Sequence, residues 1–146
     1  GVAAEWWPYK RGEQWAGGCE NYGWGATFPT LLIRNIVGFR ELTETGTKGF
    51  TISPSLSPLL FQEGEMYEIN NLNYRGIKLD ISYVLKDGQV HTKIHYRSDR
   101  PIKLLAKGLP IPEDFALSGE MKFIVENYGI TSIELEEKIS FWDFLK

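Results

Sequence analysis

A chain of 146 residues, 42% hydrophobic and 14% aromatic, has enough apolar side chains to bury a core, which argues against disorder. Its length fits one ordinary domain, or a small domain with an appendage. The net charge is −3 and no more than two basic residues are adjacent, so neither nucleic acid nor a membrane is expected as the main partner.

The longest apolar run is far too short to span a bilayer, and the start carries no signal-peptide pattern. Cys19 is the single cysteine, so there is no disulfide framework and no cysteine-based zinc site. One cysteine fits cytoplasm and periplasm alike.

Residues 1–25 are dense in glycine and aromatic side chains without a helical or strand period, and a loop is expected there. Four of the five tryptophans (Trp6, Trp7, Trp15 and Trp24) lie in it, beside Glu5, Glu13 and Glu20. The first residue is Gly1, and the stretch that follows has the composition of a protein interior. Both features suggest a piece of a longer chain. From Thr27 the pattern changes. Phe28, Leu31, Leu32, Asn35 and Ile36 follow helical spacing, Pro29 suits a first turn, and Gly38 suits a stop. The spacing predicts one helix over about residues 27–37, apolar on most sides, with Arg34 its only charge. Such a helix needs neighbours on several faces, and the remaining sequence offers no second strong helix.

After Gly49 the pattern becomes β. Short strands are expected at 50–54 and 66–72, separated by the proline-punctuated stretch SPSLSPLL, which reads as a crossing loop. The segments 77–85 and 89–96 flank Asp87-Gly88, the strongest short hairpin signal. A two-residue turn sets Leu85 against Val90, Tyr83 against Thr92, Ile81 against Ile94 and Leu79 against Tyr96 on one face. Asp80 then faces His95, and Ser82 faces Lys93, on the other. Further strands are expected at 101–107, 120–127 and 131–139, before an apolar tail, FWDFL. The expected fold is mainly β: an N-terminal loop, one apolar α-helix, then an antiparallel β-sandwich of six to eight strands. Residues 1–40 and 49–146 form the two units of this division.

Several candidate sites are rejected. His91 and His95 alternate with core residues on a strand and would stand roughly 13 Å apart, too far to share a metal ion. The glycines of the first 25 residues follow no strand and precede no Gly-Lys-Ser/Thr, so they form no phosphate loop. There is no serine-elbow motif, and Cys19 has no histidine near it in sequence. No metal or cofactor is called for. The aromatic cluster is the anomaly. Indole faces stack on the C–H faces of sugar rings, and carboxylates bind hydroxyls or move protons, so this mixture suits a sugar site. Taken singly, each tryptophan reads as a packing residue rather than a sugar contact.

The order of these residues is familiar. Glu5, then Gly12-Glu13, a glycine-rich stretch, and Tyr22-Gly23-Trp24 leading into an apolar helix together resemble the end of the catalytic domain of (α/α)6-barrel, six-hairpin glycoside hydrolases. The nearest are the processing α-glucosidase and trehalase-like groups. The following β segments resemble the β-domain that succeeds the last barrel helix there. The likeness is specific over residues 5–24 and covers the rest in outline. Trp7, Arg11 and Gly25 stand where the family tends to have Tyr, Thr, and Thr or Ser.

The resemblance implies hydrolysis of O-glycosidic bonds by an inverting, two-carboxylate mechanism. In it Glu5 would be the general base, with Glu13 and Glu20 as alternatives. Trp6, Trp7, Trp15, Glu20 and Trp24 would bind the oligosaccharide substrate. It also implies that the helix at 27–37 is the last of a barrel whose remainder is its partner. The general acid would be an aspartate further upstream, so this chain alone would be inactive. Two other readings stand beside it. One is a stand-alone carbohydrate-binding module using the same tryptophans. The other is a structural or interaction domain that docks a partner through its apolar helix.

Overall fold

A computed structural model describes residues 27–43 and 46–138. The first element is the expected helix. It begins as α1, Thr27–Leu32, and widens into a π-helical turn, Ile33–Val37. Gly38 ends it with φ 74°, in the left-handed region that glycine adopts without steric cost. The Ile33 carbonyl accepts the N–H groups of both Gly38 and Phe39.

The last carbonyls of a helix lack partners within it, and here the β-structure supplies them. Ser55 N–H donates to Ile36 O at 3.0 Å and Ser53 N–H to Gly38 O at 3.1 Å. The Tyr83 hydroxyl donates to Val37 O at 2.6 Å. The helix is therefore fastened at its C-terminal end, while Ile33, Ile36 and Val37 pack against the core.

Seven strands follow among the described residues: β1 (Arg40–Glu41), β2 (Gly49–Ile52), β3 (Met66–Tyr74), β4 (Ile77–Lys86), β5 (Gln89–Ala106), β6 (Ala116–Glu126) and β7 (Thr131–Glu137). All pairings are antiparallel. They form one sheet in the order β1-β2-β7-β5-β4-β3, with β6 on the other side of β5.

The fold is thus mainly β and antiparallel, as expected, and β5 explains how one sheet does the work of two layers. Its first half, to Arg97, lies between β4 and β6. Its second half, Ile102–Ala106, pairs with β7. The ladder to β6 slips between Arg97 and Ile102, where Asp99, Arg100 and Pro101 are all exposed. A strand that bends at such an irregularity can serve both limbs of a curled sheet. The segments expected as two strands, 89–96 and 101–107, are therefore one bent strand.

The hairpin register is as the pattern predicts, from Lys86 opposite Gln89 to Leu79 opposite Tyr96. Asp87 and Gly88 take φ 51° and 75°, the two left-handed residues that a tight turn between twisted strands requires. Leu79, Ile81, Tyr83, Leu85, Val90, Thr92, Ile94 and Tyr96 are all buried. They meet Phe50, Ile52, Ile102, Leu104, Ile133 and Leu135 of the other limb in one core.

Phe39, Phe50 and Tyr74 close one end of this core, with ring centroids 5.0–5.7 Å apart. The stretch after β2 crosses as expected. Leu56 is buried within it, and the Asn127 side chain clamps its backbone, accepting from Leu56 N–H at 2.9 Å and donating to Leu56 O at 2.6 Å.

Candidate functional site

The residues that sequence reasoning selects for sugar chemistry are Glu5, Trp6, Trp7, Trp15, Glu20 and Trp24, with Glu13 as an alternative. All lie outside the described residues, and the structure brings none of them together. It does describe the element into which their segment runs. That segment ends at Thr27, the first residue of α1. The surface around the helix is the place to look for what the segment serves.

That surface is apolar. Leu31 is 50% exposed and Leu32 37%, although each carries a side chain of the kind that normally packs inside. Beside them runs a groove of about 390 Å³, lined by Leu32, Ile36 and Val37 of the helix, by Phe61, and by Tyr67 and Ile69 of β3. Phe61 and Tyr67 meet edge to face, centroids 4.8 Å apart. The Tyr67 hydroxyl accepts the Gln62 N–H at 2.8 Å, which fixes the aromatic pair at the groove wall. Past Phe61 the apolar surface continues into a second depression of about 530 Å³ that includes Leu59 and Leu60, 93% and 75% exposed. Sequence reasoning took this stretch only as a crossing loop. Two adjacent leucines after Pro58 in a polar loop were the available signal.

The polar candidates lie on the outer face of the sheet. His95 stands opposite Asp80, with Nδ1 3.4 Å from Asp80 Oδ2. The Arg97 guanidinium donates to the same carboxylate at 2.9 Å and to the Asn71 side-chain oxygen at 3.0 Å. Asn71 sits in a bulge of β3 with φ 58°, which directs its N–H to Asp80 Oδ1 at 2.8 Å. That N–H, above all, holds the Asp80 carboxyl below its usual range; burial opposes it, and contact with His95 and the charge of Arg97 add to the lowering.

These bonds run among the members of the network and tie β3, β4 and β5 together. Their geometry is that of a strut across three strands. His91 is exposed two positions along β5 from Lys93. Among the described residues no group of three or more His, Cys, Asp or Glu side chains is placed to hold a metal ion, and no helix is long and apolar enough to cross a membrane.

No protein-family model, curated protein or solved structure matches the chain.

Proposed function

We propose that this chain is the C-terminal part of a glycoside hydrolase that cleaves O-glycosidic bonds of oligosaccharides with inversion. Residues 1–40 would belong to the end of its (α/α)6 catalytic barrel and residues 49–146 to the β-domain that follows. Glu5 is the general base of this reading, and Trp6, Trp7, Trp15, Glu20 and Trp24 shape the sugar pocket. The observation that carries it is the half-covered helix. α1 and its π turn follow directly on the aromatic–carboxylate segment. One flank is spent on the β-domain through Ile33, Ile36 and Val37. Leu31 and Leu32 remain exposed, and an apolar groove runs alongside. A helix shared between two packed bodies has this distribution, and the remainder of a helical barrel is a body that would cover it.

The chemistry requires two carboxyl groups on opposite sides of the scissile bond, roughly 6.5–9.5 Å apart for inversion. Glu5 would deprotonate the attacking water, and its tryptophan neighbours would stack on the sugar ring and exclude bulk solvent. The general acid would come from the upstream barrel, so the isolated chain is expected to be inactive.

The test is Glu5→Gln in the full-length protein, assayed against a panel of oligosaccharides. Loss of a general base lowers turnover by about 10²–10⁴-fold and leaves sugar binding largely intact. Wild-type turnover in this variant would overturn the assignment. The same exposed helix flank favours a second reading, an interaction domain that docks a non-catalytic partner. In that case no oligosaccharide is cleaved, and the isolated chain associates as its concentration rises. In the third reading, a carbohydrate-binding module, sugar quenches the tryptophan fluorescence of the isolated chain.

A further inference from the structure

The sheet has three edges among the described residues, and two of them are blunted. β1 has only two residues. β3 is broken by the bulge between Ile69 and Leu72, and its Asn71 turns left-handed. Short strands and bulges are the usual protections against edge-to-edge pairing. β6 has neither. It is 11 residues long, pairs with β5 in unbroken register from Ser118 to Glu126, and pairs with no other strand among the described residues. No proline interrupts it. Its inward side chains Met121, Phe123 and Val125 are only partly buried against the core, and Ile124 is 56% exposed on its outer face. The edge is thus long and regular, with apolar side chains on its inner face and Ile124 beside the charged Glu120, Lys122 and Glu126 on its outer face.

Glu120 and Lys122, which pair with each other at 2.7 Å within the strand, are also complementary to the same two residues of a second copy. If β6 meets β6 of a second copy across a twofold axis, the antiparallel register is set by the residue at the axis. Centred on Met121, the pairing puts Glu120 opposite the second copy's Lys122, and Lys122 opposite its Glu120. Centred on Glu120 or Lys122 instead, it sets like charges against each other, which is destabilising. In the Met121 register Phe123 stands opposite Gly119 of the other copy. Gly119 is the residue over which the Tyr96 ring lies, so close that a Cβ there would meet it. Phe123 would then pack beside Tyr96 of the other copy. Val125 would meet Leu117, itself 54% exposed.

We infer that the protein forms a twofold dimer through β6, with antiparallel β6–β6 pairing centred on Met121. The interface joins two sheets into one and completes the cover of Met121, Phe123 and Val125. It is independent of the sugar chemistry proposed above.

The test is sedimentation velocity of the full protein over a concentration series, with Glu120→Lys, Lys122→Glu and the double exchange. Both residues are exposed, so the variants keep the fold, which circular dichroism checks. The expected result is a dimer for the wild type. Each single reversal turns two attractive pairs into two repulsive ones and weakens the dimer by on the order of tenfold to a hundredfold. The double exchange restores it. A monomeric wild type would overturn the interface, as would a different segment of the chain capping β6. A dimer indifferent to both reversals would overturn the register.

Discussion

Tyr74 offers the sharpest test of how the two limbs of the sheet are joined. It is 2% exposed and sits at the end of β3, yet its hydroxyl is spent on β2. It accepts the Gly49 N–H at 2.9 Å and donates to Gly49 O at 2.7 Å. Gly49 carries no side chain because its backbone lies against the Ile133 carbonyl, where a Cβ would collide. Tyr74→Phe deletes the hydroxyl and leaves the ring contacts with Phe39 and Phe50 in place, so the polar contribution is isolated. The Gly49 carbonyl keeps a bond from Leu42 N–H at 3.0 Å. The Gly49 N–H is left buried without an acceptor.

Two bonds lost at about 1 kcal/mol each, plus about 1 kcal/mol or more for the orphaned donor, give a loss of about 3 kcal/mol. In a domain of this size that lowers the melting midpoint by about 10 °C. Urea unfolding followed by tryptophan fluorescence and circular dichroism measures it. A loss below about 0.5 kcal/mol, the range of ordinary surface substitutions, would refute the view that this hydroxyl ties the limbs together.

Three further predictions concern the helix and the core. Gly38→Ala forces a Cβ onto the backbone of Ser53 at a left-handed residue. It should cost at least about 2 kcal/mol and loosen the helix, seen as faster exchange of the Ser53 and Ser55 amide protons. Thr92 is buried and its hydroxyl has no hydrogen-bond partner among the described residues, so Thr92→Val should stabilise the protein by about 1 kcal/mol in urea melts. Burial raises the Tyr83 phenol far above its ordinary value of 10.0, and burial raises Tyr96 too. A group whose pKa is higher when folded contributes its full stability below the unfolded pKa and loses it as pH rises beyond. Stability should therefore fall from about pH 10 upward, and less steeply in Tyr83→Phe, as urea midpoints across that range will show.

The parts of the fold legible in the sequence are those with local causes. The helix from Thr27 to Val37 follows from apolar spacing ended by Gly38. The β4–β5 hairpin follows from Asp87-Gly88 between alternating runs, down to the pairing of Asp80 with His95. The bend of β5 was not legible, because nothing at Asp99-Arg100-Pro101 distinguishes a bent strand from a loop between two strands. Pairing with β7, distant in sequence, decides it. The turn at Arg75-Gly76 was missed as well. Its φ angles of 51° and 82° match those of Asp87-Gly88, but arginine is not a residue that announces a left-handed position.

The apolar face around Leu31, Leu32, Leu59 and Leu60 was half visible. An all-apolar helix implied neighbours, whereas the groove beside it depends on how Phe61 and Tyr67 meet in three dimensions. The selected sugar-site residues, Glu5 to Trp24, lie outside the described residues, and their reading rests on sequence order alone.

The measurement that bears most directly on the account is the denatured mass of the native polypeptide in extracts of the source cells, detected with an antibody against the β-domain. If the chain is the end of a barrel glycosidase, the band lies at several times the 16.7 kDa of these 146 residues. A band at 16.7 kDa would leave Glu5 without a general acid and contradict the hydrolase reading.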